Sequence, residues 1–331
     1  SVDPWLPRSR NLGTYLITGM GNLTIQPPAI KKGDTIAIIA PASPVDSRDV
    51  LERGIRSLER MGFRVRFEER IFESSRYLAG SDWARADELM RAFEDPSIQA
   101  IIGLRGGYGC ARLIPLIKTG RLRPHHKIFM GFSDLTTLMM FFRKRLGWIS
   151  IHGPMAASPS LADISQDQAE HLFSLLSDPG YCPKLHFEQL DCWKPGVAEG
   201  ELVGGCLSII TASLGTRYEI DTDGKILFIE DLGEPPYRLD RMLTHLQLAG
   251  KFRSIAGVML GNFIDCEPAR GGYNAGDVLR DILSRLNVPV LVGFPLGHGD
   301  DNWAVPFGAR VRMDADARVL ELMESAVRQH P

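Results

Sequence analysis

This sequence predicts an α/β fold in two parts, on three observations. From Lys32 onward, short and nearly all-apolar runs alternate with amphipathic segments, the pattern of a parallel sheet covered by helices on both faces. Around Ser158 to Gly200 that rhythm weakens under Pro159, Pro179, Pro183 and Pro195. Beyond it, strand-like runs outnumber helical ones, so the second part reads as mixed α+β. At 331 residues the chain is long enough for about two domains.

The elements follow in order. Residues 1–19 precede Met20 without a continuous apolar core or a small-residue cleavage site. They read as a leader added for expression, the alternative being an ordered N-terminal arm. Strands are expected at Thr35 to Ala40, Phe63 to Phe67, Ala100 to Leu104, Ile128 to Phe132 and Trp148 to His152. Helices are expected at Ser47 to Met61, Ser81 to Phe93, Cys110 to Ile117 and Asp134 to Leu146. In the first of these Val50, Leu51, Ile55, Leu58 and Met61 recur at helical spacing, with Arg and Glu on the other face.

A helix over Gln166 to Leu176 closes the N-terminal domain, placed at 20–178, and 179–200 reads as a linker. In 201–331 strands are expected at Leu202 to Cys206, Ile226 to Asp231, Gly257 to Asn262 and Val288 to Val292, with helices at Pro236 to Ala249 and Ala275 to Leu286. Ala309 to Met313 and Val319 to Met323 read as an antiparallel hairpin turning near Asp314 to Asp316.

Composition narrows the function. The 38 Lys and Arg nearly cancel the 40 Asp and Glu, so nothing favours long-range attraction to nucleic acid. No run approaches the roughly 18 apolar residues of a membrane-spanning helix. Five scattered cysteines without a C-x-x-C pair of metal spacing suggest reduced thiols and a cytoplasmic setting.

The candidate nucleophile is Ser133. The run KIFMGFSDLTTL from Lys127 passes from an apolar strand straight into an amphipathic helix with Ser133 at the corner. A nucleophile elbow has this form, the next amide, here that of Asp134, donating to an oxyanion. Serine is also a favoured helix N-cap, and Leu135 stands where G-x-S-x-G has its second glycine. Three glycines in LRGGYGC, Leu104 to Cys110, let backbone amides point at a negative oxygen, with Gly107 as second donor; the rivals are a tight turn and a nucleotide-phosphate loop, the latter lacking both G-x-G-x-x-G and the P-loop pattern.

A serine needs a base. Of eight histidines, His298 lies in the glycine-flanked loop PLGHGDDN after a strand, where catalytic side chains are commonly displayed, and His152 is the runner-up. The base needs an orienting carboxylate. Glu230 and Asp231 end the apolar strand ILFI, and alternation sends them to opposite faces, a choice that the residues alone leave open.

Seven stretches in order, GDTIAIIAPASP, GLRGGYG, GFSDLT, IHGPM, GELVGGCLSII, FIEDLGEPPYRLDRML and GFPLGHGDDNWAVPFG, resemble the LD-carboxypeptidase family, serine peptidases with a Ser-Glu-His triad that include a microcin-immunity branch. The resemblance implies Ser133 as nucleophile, Glu230 as acid and His298 as base. It also implies an N-terminal domain like class I glutamine amidotransferases, a swivelling β/β/α C-terminal domain, no metal, no cofactor and a homodimer. The implied substrate is a murein tetrapeptide that loses its terminal D-Ala, with the triad assembled across the interdomain cleft.

A carboxypeptidase must hold a free carboxylate, for which Arg105 and Arg238 are candidates, each equally suited to a structural salt bridge. Two further functions stay open. One is the same chemistry on an aminoacyl-nucleotide antibiotic, with an aromatic from Phe187 to Trp193 stacking on the base. The other is a non-catalytic binding module in which Ser133 merely caps a helix.

Overall fold

A computed structural model describes residues 24–268 and 271–330; the segment read as a leader lies outside the described residues. Two sheets organise the chain. The first has the order β12-β5-β4-β3-β1-β2. Its strands are β1 (Thr35–Ile39), β2 (Arg64–Arg66), β3 (Ala100–Gly103), β4 (Ile128–Gly131), β5 (Ser150–His152) and β12 (Val305–Phe307). The first five run parallel, and β12 closes the edge antiparallel to β5. Strands β1, β3 and β4 carry buried apolar side chains on both faces, as helices on both sides require.

Those helices begin where the sequence places caps. Ser47 accepts from the Val50 amide to start α1 (Arg48–Arg60), and Ser81 from the Ala84 amide to start α2 (Asp82–Glu94). The expected helix at Cys110 to Ile117 is instead a short 3-10 turn over Cys110–Leu113, followed by α3 (Thr119–Leu122). Pro115 lacks the amide that would continue the helix. Then come α4 (Thr136–Leu146), α5 (Pro159–Ala162) and α6 (Gln166–Ser177), the last begun by a Ser165–Gln168 capping box.

The second sheet has the order β6-β14-β13-β8-β9-β10-β11-β7. Its strands are β6 (Lys184–His186), β7 (Asp191–Lys194), β8 (Val197–Cys206), β9 (Ile226–Leu232), β10 (Gly257–Ile264), β11 (Val290–Val292), β13 (Arg310–Asp314) and β14 (Val319–Leu322). The middle four, β8 to β11, are parallel and the flanks antiparallel. Helices α7 (Leu207–Ala212), α8 (Pro236–Leu248) and α9 (Ala275–Leu283) accompany them. The stretch 179–200, read as a linker, therefore carries β6, β7 and the start of β8. Those first two strands are short and partly exposed, so they leave little alternation to detect.

The two sheets are tied closely. Strand β12 comes from the second half yet completes the first sheet. Arg143 on α4 pairs with Glu201 on β8 at 2.5 Å, and a Cβ on Gly205 would lie 2.5 Å from the Thr136 hydroxyl. The turn at the carboxyl edge of β4 therefore lies against β8 of the second sheet. In open parallel sheets that edge is where ligands bind.

Candidate active site

Strand β4 ends at Gly131, Phe132 continues extended, and Ser133 turns to φ +58° before α4 begins. A side-chain-bearing residue in that region costs about 1–3 kcal/mol and persists only where its surroundings over-determine it. Ser133 is not a cap residue: the N-cap of the 3-10 turn Ser133–Leu135 is Phe132 and that of α4 is Leu135. The Ser133 hydroxyl instead lies 3.0 Å from Nε2 of His298, the geometry of a nucleophile and its base rather than of a cap.

The imidazole is fixed from its other side. Nδ1 of His298 lies 2.6 Å from Oε2 of Glu230, and the His298 backbone amide donates to the same oxygen at 3.1 Å. A carboxylate oxygen requires a donor at Nδ1, which leaves Nε2 free to accept the serine proton. The Phe132 ring meets the imidazole edge-on, with centroids 4.9 Å apart.

Glu230 is fully buried at the end of β9, and Asp231 points to the opposite face, where it accepts from the Ser208 and Leu232 amides at 2.8 Å. Of the two carboxylates left open by strand alternation, Glu230 is the one that meets His298. Burial works to lower the His298 pKa, but the charge and hydrogen bond of Glu230 outweigh it and hold the imidazole above its ordinary value.

Two glycines make this approach possible. A Cβ on Gly106 would lie 2.7 Å from both Cβ and Oγ of Ser133, so only glycine lets the β3 loop come so close to the serine. Gly297, at φ +92°, would place a Cβ 2.3 Å from Oε2 of Glu230. The residue before His298 must therefore lack a side chain if the carboxylate is to reach the ring.

The amides of Gly107, next to the glycine that meets Ser133, and of Asp134 donate to no acceptor among the described residues. Side chains brace the loop that carries Gly107. The Cys110 amide donates to Asp134 Oδ2 at 2.8 Å, the Tyr108 amide to Ser43 Oγ at 3.2 Å, and fully buried Arg85 donates to the Gly109 and Pro41 carbonyls. Ser43, Arg85 and the Asp134 side chain escaped the sequence reading. Ser43 falls within the APASP motif but carries no signal of its long-range bond.

His152, the runner-up base, sits fully buried at the end of β5 and does not bond Ser133. Burial, with a smaller push from His298 against the pull of Glu230, lowers its pKa to about 4. Arg105 lies in the glycine loop and pairs with Asp46, while Arg238 stands exposed on α8, bonding Glu234 and Tyr237. Neither arginine bonds Ser133, His298 or Glu230. Among the described residues no cluster of three or more His, Cys, Asp or Glu side chains suits a metal ion, and no helix is long and apolar enough to cross a membrane.

Comparison with known proteins gives consistent matches along the chain. Residues 36–153 match the LD-carboxypeptidase N-terminal domain and 199–313 the LD-carboxypeptidase C-terminal domain. A probable murein peptide carboxypeptidase of Bacillus subtilis is 37% identical over 299 residues, 89% of this chain and 93% of that protein. The crystal structure of a muramoyltetrapeptide carboxypeptidase from Oxalobacter formigenes superposes with a TM-score of 0.76 at 32% identity, covering 87% of this chain and 97% of that one. MccF in complex with glutamyl sulfamoyl guanosine superposes at 0.85 with 23% identity, over 91% of this chain and 99% of that one, a likeness of fold.

Proposed function

We propose that this chain, which belongs to the LD-carboxypeptidase family and is a carboxypeptidase, releases the terminal D-Ala of a murein tetrapeptide using Ser133, His298 and Glu230. The observation that carries this reading is the continuous contact Ser133–His298–Glu230, with the serine in a left-handed backbone turn. Residues 20–178 supply the nucleophile and residues 201–331 the acid and base, on either side of 179–200.

The chemistry is acyl transfer. His298 Nε2 takes the Ser133 proton as Oγ attacks the carbonyl carbon of the bond to D-Ala, and the charge moves to the carbonyl oxygen. The free amides of Gly107 and Asp134 receive that oxygen, and Glu230 stabilises the imidazolium. His298 then gives its proton to the leaving amine and D-Ala departs, leaving an ester on Ser133. Water attacks the ester, passes its proton to His298, and the serine is restored. No step calls for a cofactor.

Arg105 is the better placed of the two arginines for the substrate's free carboxylate, since it shares the Gly107 loop; Arg238 would need a substrate that reaches α8. A cytoplasmic setting and a homodimer complete the proposal, and sedimentation velocity checks the second.

The test is mass-spectrometric detection of alanine loss from a purified murein tetrapeptide, alongside the pentapeptide and an all-L analogue. Loss from the tetrapeptide alone is expected; equal loss from the all-L peptide overturns the assigned specificity. An aminoacyl sulfamoyl adenylate in the same assay tests the antibiotic-immunity reading. Phe187 packs against Phe294 and Trp303, and Trp193 lies under Arg280, so neither ring is offered openly to a nucleobase.

A further inference from the structure

Behind the proposed triad lies a set of buried polar atoms that the reaction as described does not use. Oε1 of Glu230, both ring nitrogens of His152 and Nδ2 of Asn302 have no hydrogen-bond partner among the described residues. Glu230 and His152 are fully buried and Asn302 is 3% exposed. Burying such groups unsatisfied is costly, and a native fold with several of them together calls for an explanation.

The groups converge on one place. Asn302 Oδ1 accepts from the Gly297 amide at 2.9 Å, and Gly297 presses directly on the Glu230 carboxylate. His152 pairs across β5 and β12 with Val305, three residues beyond Asn302. Its ring meets Phe228 edge-on at 4.9 Å, and Phe228 shares its strand face with Glu230, two residues on. Phe132, which packs on His298, also touches His152, at 6.0 Å between centroids.

The chemistry of the set is complementary. Glu230 Oε1 only accepts, the Asn302 amide nitrogen only donates, and a neutral imidazole offers one donor and one acceptor. One water can accept from Asn302 and His152 and donate to Glu230, and about three bonds is what a buried water typically makes.

We propose that His152 and Asn302 are positioning residues, holding the far oxygen of Glu230 through one shared buried water so that its near oxygen stays aligned on His298. This rests on Glu230 orienting the base. A desolvated carboxylate held at both oxygens cannot turn away from Nδ1. One held only at Oε2 can pivot about that contact, and the base then loses its tautomer and its aim.

The experiment compares the whole protein with its His152→Phe, His152→Gln and Asn302→Asp variants in D-Ala release from a murein tetrapeptide. Phenylalanine keeps the ring and deletes the nitrogens, so kcat is expected to fall about tenfold or more with KM within about twofold, and glutamine to recover most of it. Unchanged kcat in His152→Phe, or a glutamine variant no better than the phenylalanine one, overturns the proposal, because packing alone would then explain the residue.

Should His152→Phe fail to fold by circular dichroism, Asn302→Asp decides. It keeps the oxygen that Gly297 bonds and removes the donor, so the same fall in kcat is expected, and full kcat overturns the proposal. Each comparison is made against the parent protein, so a parent that releases no D-Ala refutes the function rather than this role.

Discussion

At the scale of single residues, the site turns on one strained serine and one buried carboxylate. If His298 acts as a base, it must be neutral, and Glu230 holds its pKa above the ordinary 6.5. The acid limb of kcat/KM should therefore lie above pH 6.5, and Glu230→Gln should move that limb down while lowering the rate by about 10⁴-fold. A pH–rate profile of both proteins reads the two effects together; an unmoved limb would detach Glu230 from the base. Gly297→Ala should lower kcat/KM about tenfold or more, because its Cβ would meet the carboxylate at 2.3 Å and displace it, at an overpacking cost of about 1–3 kcal/mol. Steady-state kinetics with a thermal melt separates that from unfolding.

Among the elements, those with strong local signals were legible and those defined by distant partners were not. Thr35–Ile39 and Ile128–Gly131 read as strands because every position is apolar or nearly so. Helices α1 and α2 read from their amphipathic segments, and the hydroxyls of Ser47 and Ser81 cap their starts. Strand β12 escaped notice because three residues around Pro306 carry no alternation, and their pairing with β5 is a contact about 150 residues away along the chain. In the candidate site, the loop singled out His298, whereas the corner at Ser133 suits a helix cap as well and needed the resemblance. Glu230 could be separated from Asp231 only by resemblance, because a two-residue alternation does not say which face is occupied.

Helix α2 carries a further consequence that no pattern announced. Glu88 reaches across to the Ala40 amide at 2.9 Å beyond β1 and pairs with Arg70. Burial, opposed by the Arg70 charge, raises its pKa from the ordinary 4.5 to about 7. The folded state thus binds this proton more tightly than the unfolded chain, so its contribution to stability is full below pH 4.5 and is lost as pH rises toward 7. Glu88→Gln should flatten that fall. Urea midpoints at pH 5 and pH 8 check it, and an equal decline in both proteins would contradict it.

In the whole molecule, the second half reaches into the first sheet, and the core runs without a break between them. His171 on α6 bonds the Ala304 carbonyl at 2.8 Å, and Gln168 bonds Asp301 at 2.9 Å, so the loop bearing His298 is anchored on the half that bears Ser133. We therefore expect a single cooperative unfolding transition, with circular dichroism and tryptophan fluorescence coincident; two separated transitions would mean that the halves fold independently.

The same anchoring supports the contact between Ser133 and His298. The most direct measurement is D-Ala release from a murein tetrapeptide by the parent and by Ser133→Ala, with the variant's fold confirmed by circular dichroism. Near-total loss of release in a folded variant is the result this account predicts. Turnover retained without the Ser133 hydroxyl would contradict it.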